Sequence, residues 1–409
     1  MRQDLDRLMK ARGLAGMLVI GADRYSPAMR YVTGQKLHVA MYFRGAAGVA
    51  HLIHDPMERD QAALVGCDTS TFPQQGFVRL LDQEGSAARA WGRLIAQTCA
   101  TLGIAGPIAA FGEMPAGQAY AMLSRAIELN PQLSVFDSSP DILNAARTTK
   151  DEPEIEAIRR SSKGAVAAMQ RAHAFLSSLK RDGDRFRNGG SQAVTLGDVR
   201  RLIQAEFLAH GLAETDGDSI VSQGRDAGVP HNRGNDDEPL RAGTPILIDI
   251  FPGEVGGGYC SDMTRTYCLG TPPAPLQKLY DDVWAAFRVG MEGIRLGDPC
   301  RKVQDLVCDV FEQRGHATRR TNETTEVGYV HNLGHGVGLS VHEGPLLGGA
   351  KSNVATIEPG MALTVEPGLY YPAEGLGLRI EDLVITRPDG SLENLTAGAP
   401  YDLVIEPRG

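Results

Sequence analysis

Asp249, Asp262, His335, Glu366 and Glu381 each lie in or beside an apolar run, where a lone charge is hard to tolerate. Asp249 is embedded in Pro245-Ile-Leu-Ile-Asp-Ile-Phe251, Glu366 ends Ala362-Leu-Thr-Val-Glu366, and Glu381 lies within Leu378-Arg-Ile-Glu-Asp-Leu-Val-Ile385. The β-branched, turn-bounded character of these runs predicts strands. Several carboxylates pointing into one interior repel each other and are desolvated together, so they must be protonated, paired with Arg or Lys, or neutralised by cations. Taken singly, each is better explained as a strand end reaching solvent or as an ordinary ion pair. As a set, four carboxylates and one imidazole make an oxygen-rich group suited to two divalent ions, manganese first and cobalt, zinc or iron(II) next. Two metals about 3.5–4 Å apart can hold a bridging hydroxide as nucleophile and polarise a carbonyl, which is amide hydrolysis without Ser or Cys.

Four segments carry Asp262, His335, Glu366 and Glu381: Gly258-Tyr-Cys-Ser-Asp-Met-Thr-Arg-Thr266, His331-Asn-Leu-Gly-His-Gly-Val-Gly338 with Val341-His-Glu343 after it, Val365-Glu-Pro-Gly368, and Leu378-Arg-Ile-Glu-Asp382. Together they resemble the pita-bread metallopeptidases, and among these the Xaa-Pro dipeptidases (prolidases) and aminopeptidase P. The motifs fall in the right order within residues 150 to 390, and Arg30-Tyr-Val-Thr-Gly34 resembles the N-terminal domain of the same family. The resemblance implies an α+β fold: a C-terminal pita-bread domain (creatinase/aminopeptidase type) over residues 146–409, preceded by a smaller α/β creatinase-like domain over residues 1–145. It implies that Asp249 chelates one metal, that Asp262 and Glu381 bridge the two, and that His335 and Glu366 complete the second. It further implies that His342 stabilises the carbonyl oxygen as it becomes negative, that His231 binds substrate near the leaving side, that His331 lies close to the substrate, and that Glu366 accepts a proton from the bridging water.

The implied activity is cleavage between an N-terminal residue and proline in short peptides, by a homodimer whose N-terminal domain narrows the mouth of the pocket. Relatives use the same scaffold on non-peptide amides or small osmolytes, which leaves that as an alternative. A metal-free creatinase-like enzyme or a binding module is a further one, disfavoured because all five ligand positions are filled. The chain departs from the pattern between Asp249 and Asp262, where 262 − 249 = 13 residues hold a Phe-Pro-Gly-Glu-Val-Gly-Gly-Gly run. The two carboxylates still meet if the extra residues bulge at the turn, where glycines permit positive φ.

For His231, His331 and His342 the plainer reading is a loop histidine satisfied by backbone. Arg379, two residues before Glu381, shares its strand face and is placed to clamp a carboxylate or pair with a ligand. Thr264, two residues past Asp262, is placed to hydrogen-bond a ligand. The six cysteines show no CxxC pairing and read as reduced, buried small hydrophobes. By strand alternation Cys260 faces the same way as Asp262 and is expected to line the pocket.

The elements that position these residues follow from periodicity. Strand runs (Gly16 to Ile20, Gly48 to Ile53) alternate with helical ones (Ala87 to Leu102, Ala116 to Leu129) over the first 145 residues, which predicts an α/β domain. Pro140 and Thr148-Thr-Lys-Asp-Glu-Pro153 punctuate the boundary, and Pro153 opens a long helix to about Leu179. The polar, glycine-rich stretch from Lys180 to Gly190 reads as a flexible surface loop, with a mobile lid as the alternative. Thr195 and Asp198 form a capping-box pattern for a helix to about His210, and two more helices, about Pro275 to Arg295 and Pro299 to Gln313, separate the ligand-bearing strands. With 409 residues the chain exceeds what one core usually serves. Its net charge of −9 argues against non-specific nucleic-acid binding. The charged amphipathic start, Met1 to Met9, lacks an apolar signal core, and no run approaches about 18 apolar residues, so a cytoplasmic protein without a membrane span is expected.

Overall fold

The computed structural model describes residues 4–22, 25–137, 141–215 and 217–407. Pro140 and the first three residues of the N-terminal helix pattern lie outside these. The chain divides into two compact units, Met1–Arg147 with Gly256–Gly258, and Thr148–Val255 with Tyr259–Gly409.

The first unit is built on a six-stranded mixed sheet. Its order is Asp68–Thr71, Ala50–His54, Val39–Gly45, Gly16–Ala22, Gly106–Gly112, Leu133–Val135. Leu18, Ile20, Met41, Phe43 and Ile53 bury one face against Leu94, Ile95 and Met122 of the helices Ala87–Thr101 and Ala116–Leu129. That is the strand and helix alternation read from the sequence.

The second unit contains two larger sheets. Four strands run in the order Ile220–Gln223, Pro245–Ile250, Met263–Leu269, Val404–Ile405, and five in the order Glu343–Leu347, Gly334–Gly336, Ala362–Val365, Asp382–Thr386, Leu392–Asn394. An isolated bridge between Thr264 and Glu381 connects them. The long helix Glu152–Ser178 opens with a complete capping box between Asp151 and Glu154, with a proline in its first turn, and Leu196–Ala209 opens with one between Thr195 and Asp198. Both helices pack on the four-stranded sheet through Ala168, Met169, Val199 and Ile203. The helices Ala274–Gly293 and Cys300–Gln313 cover the other core with Val283, Val303 and Val307.

Two expectations need correction. Lys180–Asp182 and Arg185–Arg187 pair as an antiparallel hairpin around Gly183 at φ 65°, where an irregular loop was expected. The polar composition masked one anchor: Phe186 is fully buried beside Leu176 and Leu179, and that apolar contact organises the segment. The run from Leu378 to Ile385 is also not one strand. Leu376–Arg379 pairs with Gly368–Tyr371, whereas Asp382–Thr386 joins the five-stranded sheet, so Ile380 and Glu381 lie at the switch. No helix among the described residues is long and apolar enough to cross a membrane.

Candidate metal centre

Strand alternation accounts for how Asp249 arrives, and the other three carboxylates stand just beyond strand ends. In Pro245–Ile250 the residues Ile246, Ile248 and Ile250 face the helices, so Leu247 and Asp249 face the opposite way. Asp249 is in register with Thr264 on the neighbouring strand, and Val365 with Asp382 on the other sheet, which leaves Glu366 and Glu381 at adjoining strand ends. Between Asp249 and Asp262 the chain forms a short strand, Pro252–Glu254, paired with Leu212–Glu214, and turns through Gly256 at φ 74° and Gly257 at φ 90°. The two flanking carboxylates thus return to one cavity through a turn that the glycines allow.

Asp249, Asp262, His335, Glu366 and Glu381, together with His231, His331, His342 and Arg379, line one cavity of about 350 Å³. Ile220, Pro230, Phe251, Val341 and Leu346 supply its apolar wall. One ligand atom each from Asp262, His335 and Glu381 lies within 4.8 Å of the others. His335 Nε2 is 3.6 Å from Asp262 Oδ2 and 3.4 Å from Glu366 Oε1. Its Nδ1 lies 3.1 Å from the carbonyl of Gly336, which requires the proton there and leaves the Nε2 lone pair toward the carboxylates. Cys260 is absent from this lining. It is buried with Ile155, Ile158 and Val341, because the residues before Met263 leave the strand and strict alternation fails.

Arg379 ties the cluster together. Its Nη2 donates to Asp249 Oδ2, its Nε to Thr264 Oγ1 at 3.0 Å, and its Nη1 to Tyr370 Oη at 2.7 Å. Thr264 in turn donates to Glu381 Oε2 at 2.6 Å. His331 Nδ1 faces the Asn332 carbonyl at 2.7 Å, so its bare Nε2 accepts from the Tyr370 hydroxyl at 2.9 Å. The sequence reading missed Tyr370 and also Thr364, whose hydroxyl accepts from the His335 backbone N–H at 3.0 Å and lies 3.3 Å from Glu366 Oε1. Nothing in their local patterns distinguishes them from packing residues.

One guanidinium does not balance four carboxylates. Burial, then the charges of Glu381, Asp249 and Glu366, push Asp262 well above the usual carboxylate range. Burial and Glu381 do the same to Glu366, and burial and Asp249 push Glu381 up to about 8. Burial followed by the neighbouring His342 lowers His335 to about 4, keeping the imidazole neutral. Asp249 Oδ1 and Glu381 Oε1 are buried and have no hydrogen-bond partner. Buried carboxylate oxygens without donors, beside a neutral imidazole with its lone pair turned inward, fit divalent cations.

The profile of metallopeptidase family M24 matches residues 156–388, more than half of the chain. The chain belongs to that family. “Probable dipeptidase PepE” of Mycobacterium tuberculosis is 34% identical to this M24 chain over 267 residues, which are 65% of the chain and 63% of the relative. The match thus spans less than two thirds of that relative's length. “Uncharacterized peptidase SSP1059” of Staphylococcus saprophyticus is 30% identical over 288 residues, 70% of this chain and 74% of that protein. Among solved structures, a Xaa-Pro dipeptidase from Bacillus anthracis superposes with a TM-score of 0.77 at 24% identity, covering 98% of this chain and 99% of the other. Dipeptidase PepE from Mycobacterium ulcerans gives 0.76 at 24%, covering 99% and 97%. The fold is therefore the expected one, an M24 pita-bread domain preceded by a smaller α/β domain.

Proposed function

We propose that this M24 chain hydrolyses the amide bond between an N-terminal residue and proline in short peptides, using two divalent ions held by Asp249, Asp262, His335, Glu366 and Glu381. The observation that carries this reading is the convergence of those residues on one cavity in which two buried carboxylate oxygens lack any donor. Manganese is the preferred ion because the donors are mainly carboxylate oxygens. Divalent ions bound there supply an activated water and polarise the scissile carbonyl.

The chain's own groups do the rest. Glu366, at the strand end beside His335, receives the proton released as water attacks. His342 and His231 are exposed among the residues lining the cavity and donate to the carbonyl oxygen and to the substrate near its leaving side. His331 is held neutral, its pKa lowered to about 3 by burial and then by Arg379, and contacts the substrate as a neutral ring. Arg379 fixes Asp249 and, through Thr264, the Glu381 carboxylate. A cavity near the lower end of the usual range of about 300–1,000 Å³ suits a short substrate.

The test is a substrate panel on the metal-loaded protein: Xaa-Pro dipeptides, longer peptides with proline second, matched Xaa-Ala peptides and small non-peptide amides. Xaa-Pro cleavage well above Xaa-Ala is expected. Turnover of the non-peptide amides alone would replace this reading with that of a same-fold amidase. The reading also carries a homodimer and a cytoplasmic location, tested by light scattering and by fractionation.

A further inference from the structure

Lys150 and Glu343 are separated by most of the second unit in sequence, yet Lys150 Nζ lies 3.4 Å from Glu343 Oε2, with each side chain only 2% exposed. Burying a pair like this costs desolvation that an apolar contact would avoid, so it contributes little as a source of stability. Its directionality is what an apolar contact lacks.

The surroundings of Glu343 show what is being directed. Its Oε1 accepts from the Ser340 backbone N–H at 3.0 Å. A Cβ added to Gly338 would sit 2.5 Å from its Oε2, so the carboxylate lies flat on the turn that begins there. Gly338 N–H donates to the Ser340 carbonyl at 3.0 Å, and the Gly338 carbonyl accepts from Cys260 N–H at 2.8 Å. The strand register breaks between His335 and Gly336, and Gly336 then pairs with Glu343. The chain thus leaves and re-enters one strand pair between His335 and Glu343, with His342 as the last residue of the excursion. Lys150 is itself anchored, its N–H donating to the Gly360 carbonyl at 2.8 Å just before the strand Ala362–Val365.

We propose that the buried Lys150–Glu343 pair positions His342, clamping the 338–342 turn so that the His342 ring is held 4.3 Å from His335 and over the cavity. Lys150 and Glu343 are positioning residues that touch no substrate. The proposal rests on the reading of His342 as a donor to the reacting carbonyl.

The full-length metal-loaded protein is compared as wild type, Lys150→Met/Glu343→Leu, Lys150→Arg, Glu343→Gln and His342→Ala, measuring kcat, KM, melting temperature and bound metal by elemental analysis. The apolar double variant removes both charges together and avoids stranding one of them. It is expected to keep its metal while kcat falls at least about tenfold with KM changed less than about twofold, because a misplaced donor loses transition-state contact without losing binding. Lys150→Arg is expected to retain most of the native kcat. Should the double variant not fold, Glu343→Gln, which preserves shape and the acceptor for Ser340, is expected to show the same split. Native kcat in either folded variant overturns the proposal, since the pair is then merely structural. Metal loss in parallel with activity overturns it too, assigning the pair to His335 instead. If His342→Ala keeps its kcat, the reading of His342 is at fault and the proposal falls with it.

Discussion

His335 and His342 lie with ring centroids 4.3 Å apart and planes inclined at 50°, yet they face different surroundings. His335 is buried and turns Nε2 toward Asp262 and Glu366, whereas His342 is exposed at the cavity. Replacement by alanine should therefore separate them. His342→Ala is expected to lower kcat by about 10²-fold or more with metal content nearly intact, as for loss of one donor to a developing oxyanion. His335→Ala is expected to lose metal. Kinetics and elemental analysis of both variants decide it, and identical behaviour would refute the division of roles.

Metal removal should cost both activity and stability. In the proposed site the ions are the counter-charge for Asp262, Glu366 and Glu381, and ligand bound only to the folded state at 100 times its Kd stabilises by about 2.7 kcal/mol. Chelator is expected to abolish turnover and lower the melting temperature, with manganese restoring both best. Asp262→Asn should show reduced metal stoichiometry. Full activity in metal-free protein would sink the proposal.

Thr264 bridges Arg379 and Glu381 with one hydroxyl, accepting at 3.0 Å and donating at 2.6 Å. Thr264→Val keeps the shape and deletes both bonds. Metal affinity is expected to fall about 10–100-fold, the usual cost of losing a ligand's hydrogen-bonded support. Calorimetric titration of manganese into the stripped protein measures this directly; an unchanged affinity would count Thr264 as packing only.

A pH effect on stability is expected from a buried carboxylate outside the candidate site. In the first unit the Glu84 side chain is only 2% exposed and lies against Arg89, Arg93 and Arg125. Hydrogen bonds from Arg125 and then Arg93 outweigh its burial and hold its carboxyl down to about 2. A carboxyl depressed on folding stabilises at pH above the unfolded value of about 4.3 and ceases to do so as pH falls toward the folded value. Glu84→Gln is expected to cost on the order of 1.5–3 kcal/mol near neutrality. It should also flatten the acid limb of the stability curve between about pH 4 and 2. Denaturant melts of both proteins across that range give the comparison; parallel acid limbs would exclude the effect.

Much of this was already legible in the residues themselves. A carboxylate inside Pro245-Ile-Leu-Ile-Asp-Ile-Phe251 violates the apolar pattern, and only charge compensation makes such a violation tolerable, so the sequence alone marks Asp249 for a shared site. Capping boxes at Asp151 and Thr195 likewise specify helix starts, since they depend on neighbours three residues apart. What depended on distant contacts was not legible. Arg379 reaching Asp249 and Tyr370, Thr364 supporting His335, and Lys150 meeting Glu343 all depend on which strand lies beside which. The same holds for Cys260 turning into the core and for Glu381 standing where one strand ends and another sheet begins. Local periodicity carries the direction of a side chain within its own element, whereas partners across sheets are chosen by packing of the whole unit, and that choice exists only in three dimensions.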